Sequence, residues 1–275
     1  MKTVLITGCS TGIGRALSVS LHRRGFNVWA TARNPDSIAD LEPSGIKTAA
    51  LDVTNSKQVD ALVDTVLITD GRIDMLINNA GYGAMGAIAE TPTAEIERQF
   101  TTNTFAPITL IQKVIPTMRK QGSGTLVNIG SVSGILTSPF SGVYCASKAA
   151  LHTLSEALRI ELAPFGIDVI TVQPGAIQSS FGKTATRELE KILPENSLYQ
   201  PIEETLRRRA GASQERPTTA EAFSEKLVSI LLREKKPAII RIGRGSFVMP
   251  FIRRWLPQSL LQRLLSRLFN LNQVN

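Results

Sequence analysis

The sequence predicts an α/β fold: a doubly wound parallel sheet of seven strands with helices on both faces. Two observations predict it. Apolar runs of strand length alternate with amphipathic segments of helix length, and several of the runs lack the polar alternation of a half-exposed strand. Continuous apolar runs indicate strands buried on both faces, and the alternation of strands with helices indicates parallel strands joined by crossover helices.

The same alternation gives each element its place along the chain. The predicted strands are Thr3–Thr7, Asn27–Arg33, Ile46–Asp52, Asp74–Asn78, Gly124–Ser131, Asp168–Pro174 and Pro237–Ile242. The predicted helices are Ile13–Arg24, Ser56–Thr69, Thr93–Lys120, Val143–Phe165 and Thr219–Arg233. These elements assign residues 1–243 to one catalytic domain, followed by a basic amphipathic C-terminal extension, residues 244–275. Residues 176–217 are polar and interrupt the alternation after a strand, so we expect this insertion to cover a ligand crevice.

The residue counts exclude several classes of protein. The 275 residues include two cysteines, Cys9 and Cys145, and two histidines, His22 and His152. These counts exclude a disulfide-built scaffold and leave too few thiols for a zinc ribbon or an iron–sulfur cluster, so no metal site is predicted. The chain also lacks a G-x-S-x-G turn, which disfavours a serine hydrolase.

The net charge of +8 is unevenly distributed. Residues 241–275 contain six arginines and no lysine or acidic residue, so they carry +6 and leave +2 for the rest of the chain. Nucleic acid is not a predicted partner, because no DNA- or RNA-binding motif accompanies the charge. Neither a membrane-spanning apolar run nor a signal-peptide pattern occurs, and we expect a cytoplasmic protein.

A glycine-rich turn follows the first predicted strand and opens the first helix. It contains Gly8, Ser10, Thr11, Gly12, Ile13 and Gly14. Glycine permits a tight turn and lets the backbone approach a pyrophosphate, while the free N–H groups and the dipole of the new helix favour the anion. The turn therefore predicts a dinucleotide site at the first strand-to-helix junction.

The G-x-x-x-G-x-G spacing of this turn and three later motifs resemble the short-chain dehydrogenase/reductase family. The later motifs are Asn78-Asn79-Ala80-Gly81, Tyr144-x-x-x-Lys148 and Pro174-Gly175. They follow the family order over about residues 1–240. The sequence resembles NADP-linked 17-beta-hydroxysteroid and retinol dehydrogenase-like members and aldehyde reductase-like members. This resemblance implies a Rossmann-type fold and an oxidoreductase that uses a nicotinamide dinucleotide.

Tyr144 and Lys148 form the predicted centre of catalysis. They are four residues apart on a predicted helix, so their side chains share one face. A phenol with a pKa of about 10 is a poor acid–base catalyst at neutral pH, but a nearby ammonium stabilises the phenolate and lowers that pKa.

The resemblance implies a role for each catalytic residue. Tyr144 is the proton donor and acceptor, and Ser131 orients and stabilises the reacting carbonyl. Lys148 lowers the pKa of Tyr144 and binds the nicotinamide ribose, and Asn103 supports a proton relay. Ser133 is a competing serine, although the thirteen-residue spacing to Tyr144 favours Ser131.

The end of the second predicted strand bears on the choice between NADP(H) and NAD(H). Sites that prefer NAD commonly carry an acid there, whereas this chain has Ala32 followed by Arg33. A guanidinium binds a 2′-phosphate through charge-assisted hydrogen bonds, so NADP(H) is the predicted cofactor. NAD(H) stays open as the alternative, because Thr11 stands where many NADP-linked relatives carry a second base. Asp36 is also close enough to compete for Arg33.

The resemblance implies further contacts with the cofactor, each near the end of a predicted strand. On the adenosine side these residues are Asp52, Val53, Asn79, Ala80 and Gly81. On the nicotinamide side they are Pro174, Gly175, Ile177 and Ser179. Ser179 replaces the threonine that the family often has, and it keeps the hydroxyl.

The residues near the expected crevice indicate the substrate class. The loop after Ser131 and the segment Tyr82–Met85 are mostly apolar, and no arginine or lysine next to Ser131 is available to hold a carboxylate. We therefore expect an uncharged, apolar aldehyde, ketone or alcohol. Relatives with this kind of sequence act on steroids, retinoids and aliphatic aldehydes. The alternatives are a 3-oxoacyl-[acyl-carrier-protein] reductase and a regulator that senses the dinucleotide without turnover.

The C-terminal extension has an apolar stripe at helical spacing. The stripe consists of Leu256, Leu260, Leu261, Leu264, Leu265, Leu268 and Phe269, and its flanking arginines are Arg253, Arg254, Arg263 and Arg267. Three interpretations stay open: a helix packed on its own domain or a partner subunit, a helix lying on an anionic membrane surface, and a lid over the crevice. The resemblance implies a homodimer or homotetramer formed through the predicted helices 93–120 and 143–165.

Overall fold

A parallel seven-stranded sheet forms the centre of the protein, whose residues 1–274 are described by a computed structural model. The strand order is β3-β2-β1-β4-β5-β6-β7, and every neighbouring pair is parallel. The strands are β1 (Thr3–Ile6), β2 (Asn27–Ala32), β3 (Lys47–Ala50), β4 (Met75–Asn78), β5 (Gly124–Ile129), β6 (Ile167–Pro174) and β7 (Ile239–Ile242). The fold class predicted from the sequence is confirmed.

The helices lie on both faces of this sheet. Those of the described residues are α1 (Gly12–Arg23), α2 (Ser56–Asp70), α3 (Thr93–Phe100), α4 (Ala106–Gln121), α5 (Gly142–Leu162), α6 (Phe181–Ile192), α7 (Glu203–Gly211), α8 (Ala220–Leu231), α9 (Val248–Trp255) and α10 (Gln258–Leu268). Alternate residues of a strand point to opposite faces. Ile6 of β1 therefore packs in a core with residues of α1 and α8, whereas Leu5 packs with residues of α2 and α4.

Two segments differ from the elements predicted for them. The predicted helix 93–120 contains one π-helical turn, Thr101–Phe105, between α3 and α4. Residues 176–217, which we treated as a polar insertion, contain the helices α6 and α7. Both helices are polar on average but bury a few apolar side chains, including Leu189 and Leu206, in a third hydrophobic cluster.

The candidate site lies at the edge of the sheet where the strands end. Strand β1 lies between β2 and β4. The strands β2 and β3 extend the sheet to one side of β1, and β4 to β7 extend it to the other, so the strand order reverses at β1. Open α/β sheets bind ligands at such a switch point, outside the carboxyl ends of the strands. The segments after β1, β4, β5 and β6 contain the motifs singled out in the sequence, and the sheet therefore brings those motifs to one edge.

The C-terminal extension forms two short helices rather than one. Pro257 stands at the N-cap of α10 and separates it from α9. Leu261 and Phe269 are buried, and the Asn270 Nδ2 donates to Thr205 Oγ1 of α7 at 3.2 Å, so one side of α10 packs on the chain's own domain. Among residues 1–274, no helix combines the length and the apolar character needed to cross a membrane.

Candidate active site

The glycine-rich turn is held in place by the segment after β4. Thr7 Oγ1 accepts hydrogen bonds from the backbone N–H groups of Asn79 and Ala80, both at 3.0 Å. The Asn79 side chain in turn donates to the carbonyl oxygens of Thr7 and Gly8, both at 2.9 Å. A Cβ added at Gly14 would lie 2.4 Å from the Gly8 carbonyl oxygen, so this packing requires glycine there. Asn79 thus fixes the turn.

The turn fits a dinucleotide pyrophosphate. Gly8 and Gly12 adopt φ values of +72° and +59°, and α1 begins at Gly12. The N-cap residue Thr11 makes no side-chain hydrogen bond to the first turn of α1, because its hydroxyl pairs with Ser180 Oγ at 2.7 Å. The first N–H groups of α1 therefore lack a capping side chain, which suits an anion. Ser10 is exposed in this turn, whereas Ile13 packs against the core.

The residues expected on the adenosine side lie next to the turn. Val53 is buried, Gly81 is exposed, and Arg33 is exposed. Burial would raise the pKa of Asp52, but hydrogen bonds from Thr54 and the charge of Arg33 lower that pKa below its ordinary value. Arg33 and Asp52 are therefore close enough to interact. The described residues contain no ion pair between Arg33 and Asp36.

The residues expected on the nicotinamide side follow β6. A Cβ added at Gly175 would lie 2.0 Å from the Arg244 carbonyl oxygen, so the segment after Pro174 passes tightly against the segment after β7. Ile177 is buried and pairs with Thr218 through a parallel bridge. Ser179 lies against Gly12 of the glycine turn, where an added Cβ would come within 2.6 Å.

Tyr144 and Lys148 share the buried face of α5, as their spacing predicted. Lys148 Nζ donates to the Ile129 carbonyl oxygen at 2.8 Å, and burial lowers the pKa of Lys148 to about 8. Burial raises the pKa of Tyr144 to about 12, while the neighbouring Ser131 hydroxyl and the charge of Arg209 act to lower it. Burial is thus the largest influence on the pKa of Tyr144, and the groups that act to lower that pKa are Ser131 and Arg209 rather than Lys148.

Asn103 lies in the π-helical turn between α3 and α4. Its Oδ1 accepts a hydrogen bond from the Tyr82 N–H at 3.1 Å, and its Nδ2 donates to the Tyr82 carbonyl oxygen at 2.9 Å and to Ser147 Oγ at 3.1 Å. A Cβ added at Gly81 would lie 3.0 Å from Asn103 Oδ1 and 3.4 Å from Lys148 Nζ. The π turn therefore brings Asn103 to the lysine, and such turns occur frequently at functional sites.

Ser131 follows β5, and a histidine that the sequence analysis did not select holds its backbone. The Ser131 N–H donates to His152 Nε2 at 3.3 Å, and Ser131 Oγ accepts from the Ser133 N–H at 3.1 Å. Glycine is required on both sides of the imidazole, because added Cβ atoms at Gly130 and Gly134 would lie 2.2 and 2.7 Å from it. His152 stands four residues after Lys148, and that spacing on one helix face was the signal available in the sequence.

The insertion and the C-terminal extension together close the site. Tyr144 is only 8% exposed, and its ring lies 5.3 Å from the ring of Phe181 in α6. Phe140 packs between Tyr199 and Phe269, with ring centroids 5.3 and 6.1 Å away. We refer to this layer, formed by α6, α7 and the segment after α10, as the cover. The cover therefore leaves little of the Tyr144 side chain exposed to solvent.

An ion-pair network joins the cover to the body of the protein. Glu188 of α6 is buried and pairs with Arg98 of α3, which also binds Glu95 at 2.7 Å. Arg98 lies 4.7 Å above the ring of Tyr82, whose hydroxyl donates to Glu95 at 2.9 Å. Burial would raise the pKa of Glu188, but hydrogen bonds from Lys191 and Arg98 lower that pKa. The network therefore links α6 to α3 through charge-assisted hydrogen bonds.

Arg209 is a second residue of the site that the sequence analysis did not select. It lies in the last turn of α7, is partly buried, and donates through Nε to Ser138 Oγ at 2.9 Å. Its charge acts to lower the pKa of Tyr144, and burial lowers the pKa of its own guanidinium below the ordinary value. Within residues 1–274 it forms no ion pair with a carboxylate. The sequence analysis considered cations next to Ser131 only, and Arg209 adds a cation from a distant helix.

Comparisons with known proteins agree with this fold and this arrangement of motifs. A family model described as short chain dehydrogenase matches residues 2–190. The short-chain dehydrogenase ptmH of Penicillium ochrochloron is 37% identical over 250 residues, which cover 90% of each chain. A 3-ketodihydrosphingosine reductase of Bacteroides thetaiotaomicron is 36% identical over 72% of this chain and 71% of its own.

A solved structure gives the same result. The crystal structure of a short-chain dehydrogenase from Streptomyces avermitilis superposes with a TM-score of 0.80 and 31% identity, over 99% of this chain and 96% of its own. The fold and the matching sequences define an oxidoreductase of the dinucleotide-binding α/β class. Within that class, the chain belongs to the short-chain dehydrogenase/reductase family.

The neutral His152 makes the stability of the protein dependent on pH. Burial and the charges of Lys148 and Arg241 lower its pKa from 6.5 to about 4 in the folded state. Between these two values the unfolded chain binds the additional proton, so the free energy of unfolding falls as the pH falls from about 6.5 toward 4. We expect this group to contribute a loss of up to about 2 kcal/mol between pH 7 and pH 5.

Urea denaturation of wild type and His152→Gln at pH 7, 6 and 5 tests this prediction. Glutamine can accept the Ser131 N–H but does not titrate, so the variant should lose less stability over this range. Other titrating groups contribute equally to both proteins. Equal losses in the two proteins would contradict the prediction.

Arg209 should set the pH dependence of turnover. Its charge favours the phenolate of Tyr144, so Arg209→Gln should raise the pKa of that phenol. We expect the pH profile of kcat to move upward by on the order of 0.5 pH unit, whichever direction of the reaction is assayed. Arg208→Gln is the matched control, because Arg208 is the exposed neighbour on the same helix. A profile that moves equally in both variants would show that Arg209 has no specific effect.

Proposed function

We propose that the protein is an NADP(H)-dependent oxidoreductase that interconverts an apolar aldehyde or ketone and its alcohol. One observation carries the proposal: Tyr144, Lys148 and Asn103 lie together beneath an apolar cover, beside Ser131 and next to the glycine-rich turn. A phenol, a buried ammonium and a hydroxyl in one dry site are suited to acid–base chemistry at a carbonyl oxygen.

Each residue has a distinct part in this proposal. The Tyr144 hydroxyl donates a proton to the carbonyl oxygen during reduction and removes it during oxidation, while the Ser131 hydroxyl donates a hydrogen bond to the same oxygen. Lys148 and Asn103, which approach each other at Gly81, support movement of the proton away from Tyr144. The bound nicotinamide would supply or accept the hydride.

The glycine-rich turn would hold the cofactor's pyrophosphate, and the segment after β6 would lie on the nicotinamide side. The uncapped start of α1 and the absence of side chains at Gly8 and Gly12 support the first assignment. For the second, Ser179 lies against Gly12, so the segment after β6 and the glycine-rich turn meet at one point. Asn79 would act indirectly, by fixing the turn.

The lining of the site supports a largely apolar substrate. The cluster around Tyr144 includes Met85, Phe140, Leu189 and Phe269 and excludes water from the phenol. The relative named 3-ketodihydrosphingosine reductase supports a lipid-like carbonyl compound as the substrate class. Arg209 adds one cation to this lining, so we propose an apolar substrate in which an electronegative group accompanies the reacting carbonyl.

The preference for NADP(H) rests on Arg33. This arginine is exposed and lies close enough to Asp52 to affect its pKa, at the adenosine end of the site. An exposed guanidinium at this position is available to a 2′-phosphate. NAD(H) remains the alternative cofactor, since the base that relatives carry before the middle glycine is Thr11 here.

The surfaces of α4 and α5 support a homodimer or homotetramer. Three large apolar side chains on or beside these helices are well exposed: Phe105 at 57%, Ile160 at 74% and Phe165 at 40%. Burying them against a second copy would remove apolar area from water. Light scattering on the purified protein would give the mass that distinguishes a dimer or a tetramer from a monomer.

Turnover assays test the proposed reaction. NADPH oxidation should be measured with aliphatic aldehydes, retinal, steroid ketones, a 3-keto lipid and a 3-oxoacyl thioester of acyl carrier protein. We expect turnover of apolar carbonyl compounds, and Tyr144→Phe should lower kcat by roughly 10²- to 10⁴-fold while NADPH binding is retained.

Other outcomes of these assays favour the alternatives. Turnover of the thioester alone would support the acyl-carrier reductase. NADPH binding without turnover of any compound would support the sensing role. Full turnover by Tyr144→Phe would refute the assignment of the proton donor.

Titration with the two cofactors tests the role of Arg33. Arg33→Ala removes a charge-assisted contact, so the Kd for NADPH should rise by roughly 10- to 100-fold while the Kd for NADH stays the same. Arg23→Ala is the matched control, because Arg23 is an exposed arginine at the opposite end of α1. A tighter Kd for NADH than for NADPH in the wild type would contradict the proposed preference.

A further inference from the structure

The helix α9 is rich in apolar residues but buries none of them completely. None of its eight residues is buried. Phe247, Phe251 and Trp255 stand at intervals of four residues, which places them on one side, and they are 66, 64 and 67% exposed. Val248 adjoins them at 60%. A helix of a folded domain normally buries its apolar side. The apolar side of α9 instead has no surface packed against it within the described residues.

The helix α10 continues the exposed apolar surface. Its residues divide between two sides: Leu261 is buried and Leu265 packs against the third hydrophobic cluster, whereas Leu260, Leu264 and Leu268 are 43, 48 and 66% exposed. The exposed leucines recur every four residues and form a second apolar stripe. Packing on the domain therefore accounts for one side of α10 only.

Arginines surround this exposed surface. Arg253, Arg254, Arg263 and Arg267 are all exposed, and none of them forms an ion pair within residues 1–274. Arg254 lies over the ring of Trp255 at 5.8 Å. The sequence contains no acidic residue from position 241 onward, so nothing within this segment neutralises the positive charge.

We propose that this surface binds a membrane rich in anionic lipids. We call it the C-terminal face and define it by Phe247, Phe251, Trp255, Leu260, Leu264 and Leu268 with the four arginines. Interfacial helices bury aromatic and leucine side chains at the boundary of headgroups and acyl chains and place cations at the lipid phosphates. Each arginine near such a surface adds attraction, and an indole favours that depth.

Charge distinguishes a lipid surface from a second copy of the chain. In a twofold dimer the same patch lies on both subunits, so the C-terminal face would bring two sets of arginines together without an acidic residue between them. An anionic bilayer instead supplies the opposite charge and the apolar layer together. The exposed apolar side chains on or beside α4 and α5 provide a separate surface for self-association.

The two sides of α10 would then connect the membrane to the active site. Leu265 of α10 packs against the hydrophobic cluster that contains Tyr144 and Phe269, while the opposite side of the helix would contact lipid. A lipid-like substrate could reach the cover from the bilayer. This last step rests on the proposed function, whereas membrane binding itself rests only on the surface of the extension.

Sedimentation with lipid vesicles tests the proposal. Wild type should bind vesicles of phosphatidylcholine with about 30% phosphatidylglycerol at least 10-fold more tightly than vesicles of phosphatidylcholine alone, and added salt should weaken that binding. Phe251→Ser with Trp255→Ser removes apolar contacts, and Arg253→Gln with Arg254→Gln removes charge. Each pair should weaken binding by roughly 10-fold or more.

A matched control separates this face from net charge. Arg23→Gln with Arg233→Gln removes the same charge from exposed positions elsewhere and should leave vesicle binding close to that of wild type. The substituted residues of all pairs are exposed, so circular dichroism should show the wild-type fold. Turnover with a water-soluble substrate should also be unchanged, and vesicle binding can be scored even if no substrate is found.

Trp255 gives an independent spectroscopic measurement. The chain has two tryptophans, and Trp29 is only 6% exposed in the core, so a blue shift on adding vesicles reports on Trp255. Absence of sedimentation and of the shift would overturn the proposal, as would equal binding by all variants. The wild type could fail to bind vesicles while Phe251→Ser with Trp255→Ser lowered the oligomeric mass. That result would show that the C-terminal face is an interface between two copies of the chain, and it would overturn the proposal.

Discussion

The parallel direction of all seven strands is the constraint on which the rest of the structure depends. Because every strand ends at the same edge, the segments after β1, β4, β5 and β6 meet there although they are far apart in the chain. The hydrogen bonds between Asn79 and the carbonyl oxygens of Thr7 and Gly8 show how closely two of these segments meet. A site assembled from strand ends leaves the interior of the sheet free to pack on both sides.

Burial and charge act against each other within the site. Removing water raises the pKa of Tyr144 and lowers the pKa of Lys148, so both groups lose part of the tendency to ionise. The Ile129 carbonyl oxygen accepts one hydrogen bond from the ammonium, and Arg209 supplies a positive charge that acts to lower the pKa of the phenol. The cover therefore does more than exclude solvent, because one of its own helices contributes to the electrostatics of the Tyr144 phenol.

The sequence predicted the features that local pattern determines. Apolar runs located the strands, and the four-residue spacing of Tyr144 and Lys148 predicted their common face. It did not predict Arg209, because that residue is 65 positions from Tyr144 and meets it only through the fold of the insertion. The helices α6 and α7 were missed since few of their residues are apolar, and the π turn at Asn103 has no signal in hydrophobic periodicity.

The imidazole of His152 has a consequence for how this chain can change in sequence. It fills the space that side chains at Gly130 and Gly134 would need, so the acceptable residues at these three positions depend on one another. A smaller residue at position 152 would remove the clash with the imidazole, but it would leave the Ser131 N–H without its acceptor, and at Gly134 the added Cβ would still lie 2.9 Å from the Lys148 backbone. The effects of substitutions at these three positions of this chain are therefore coupled by epistasis.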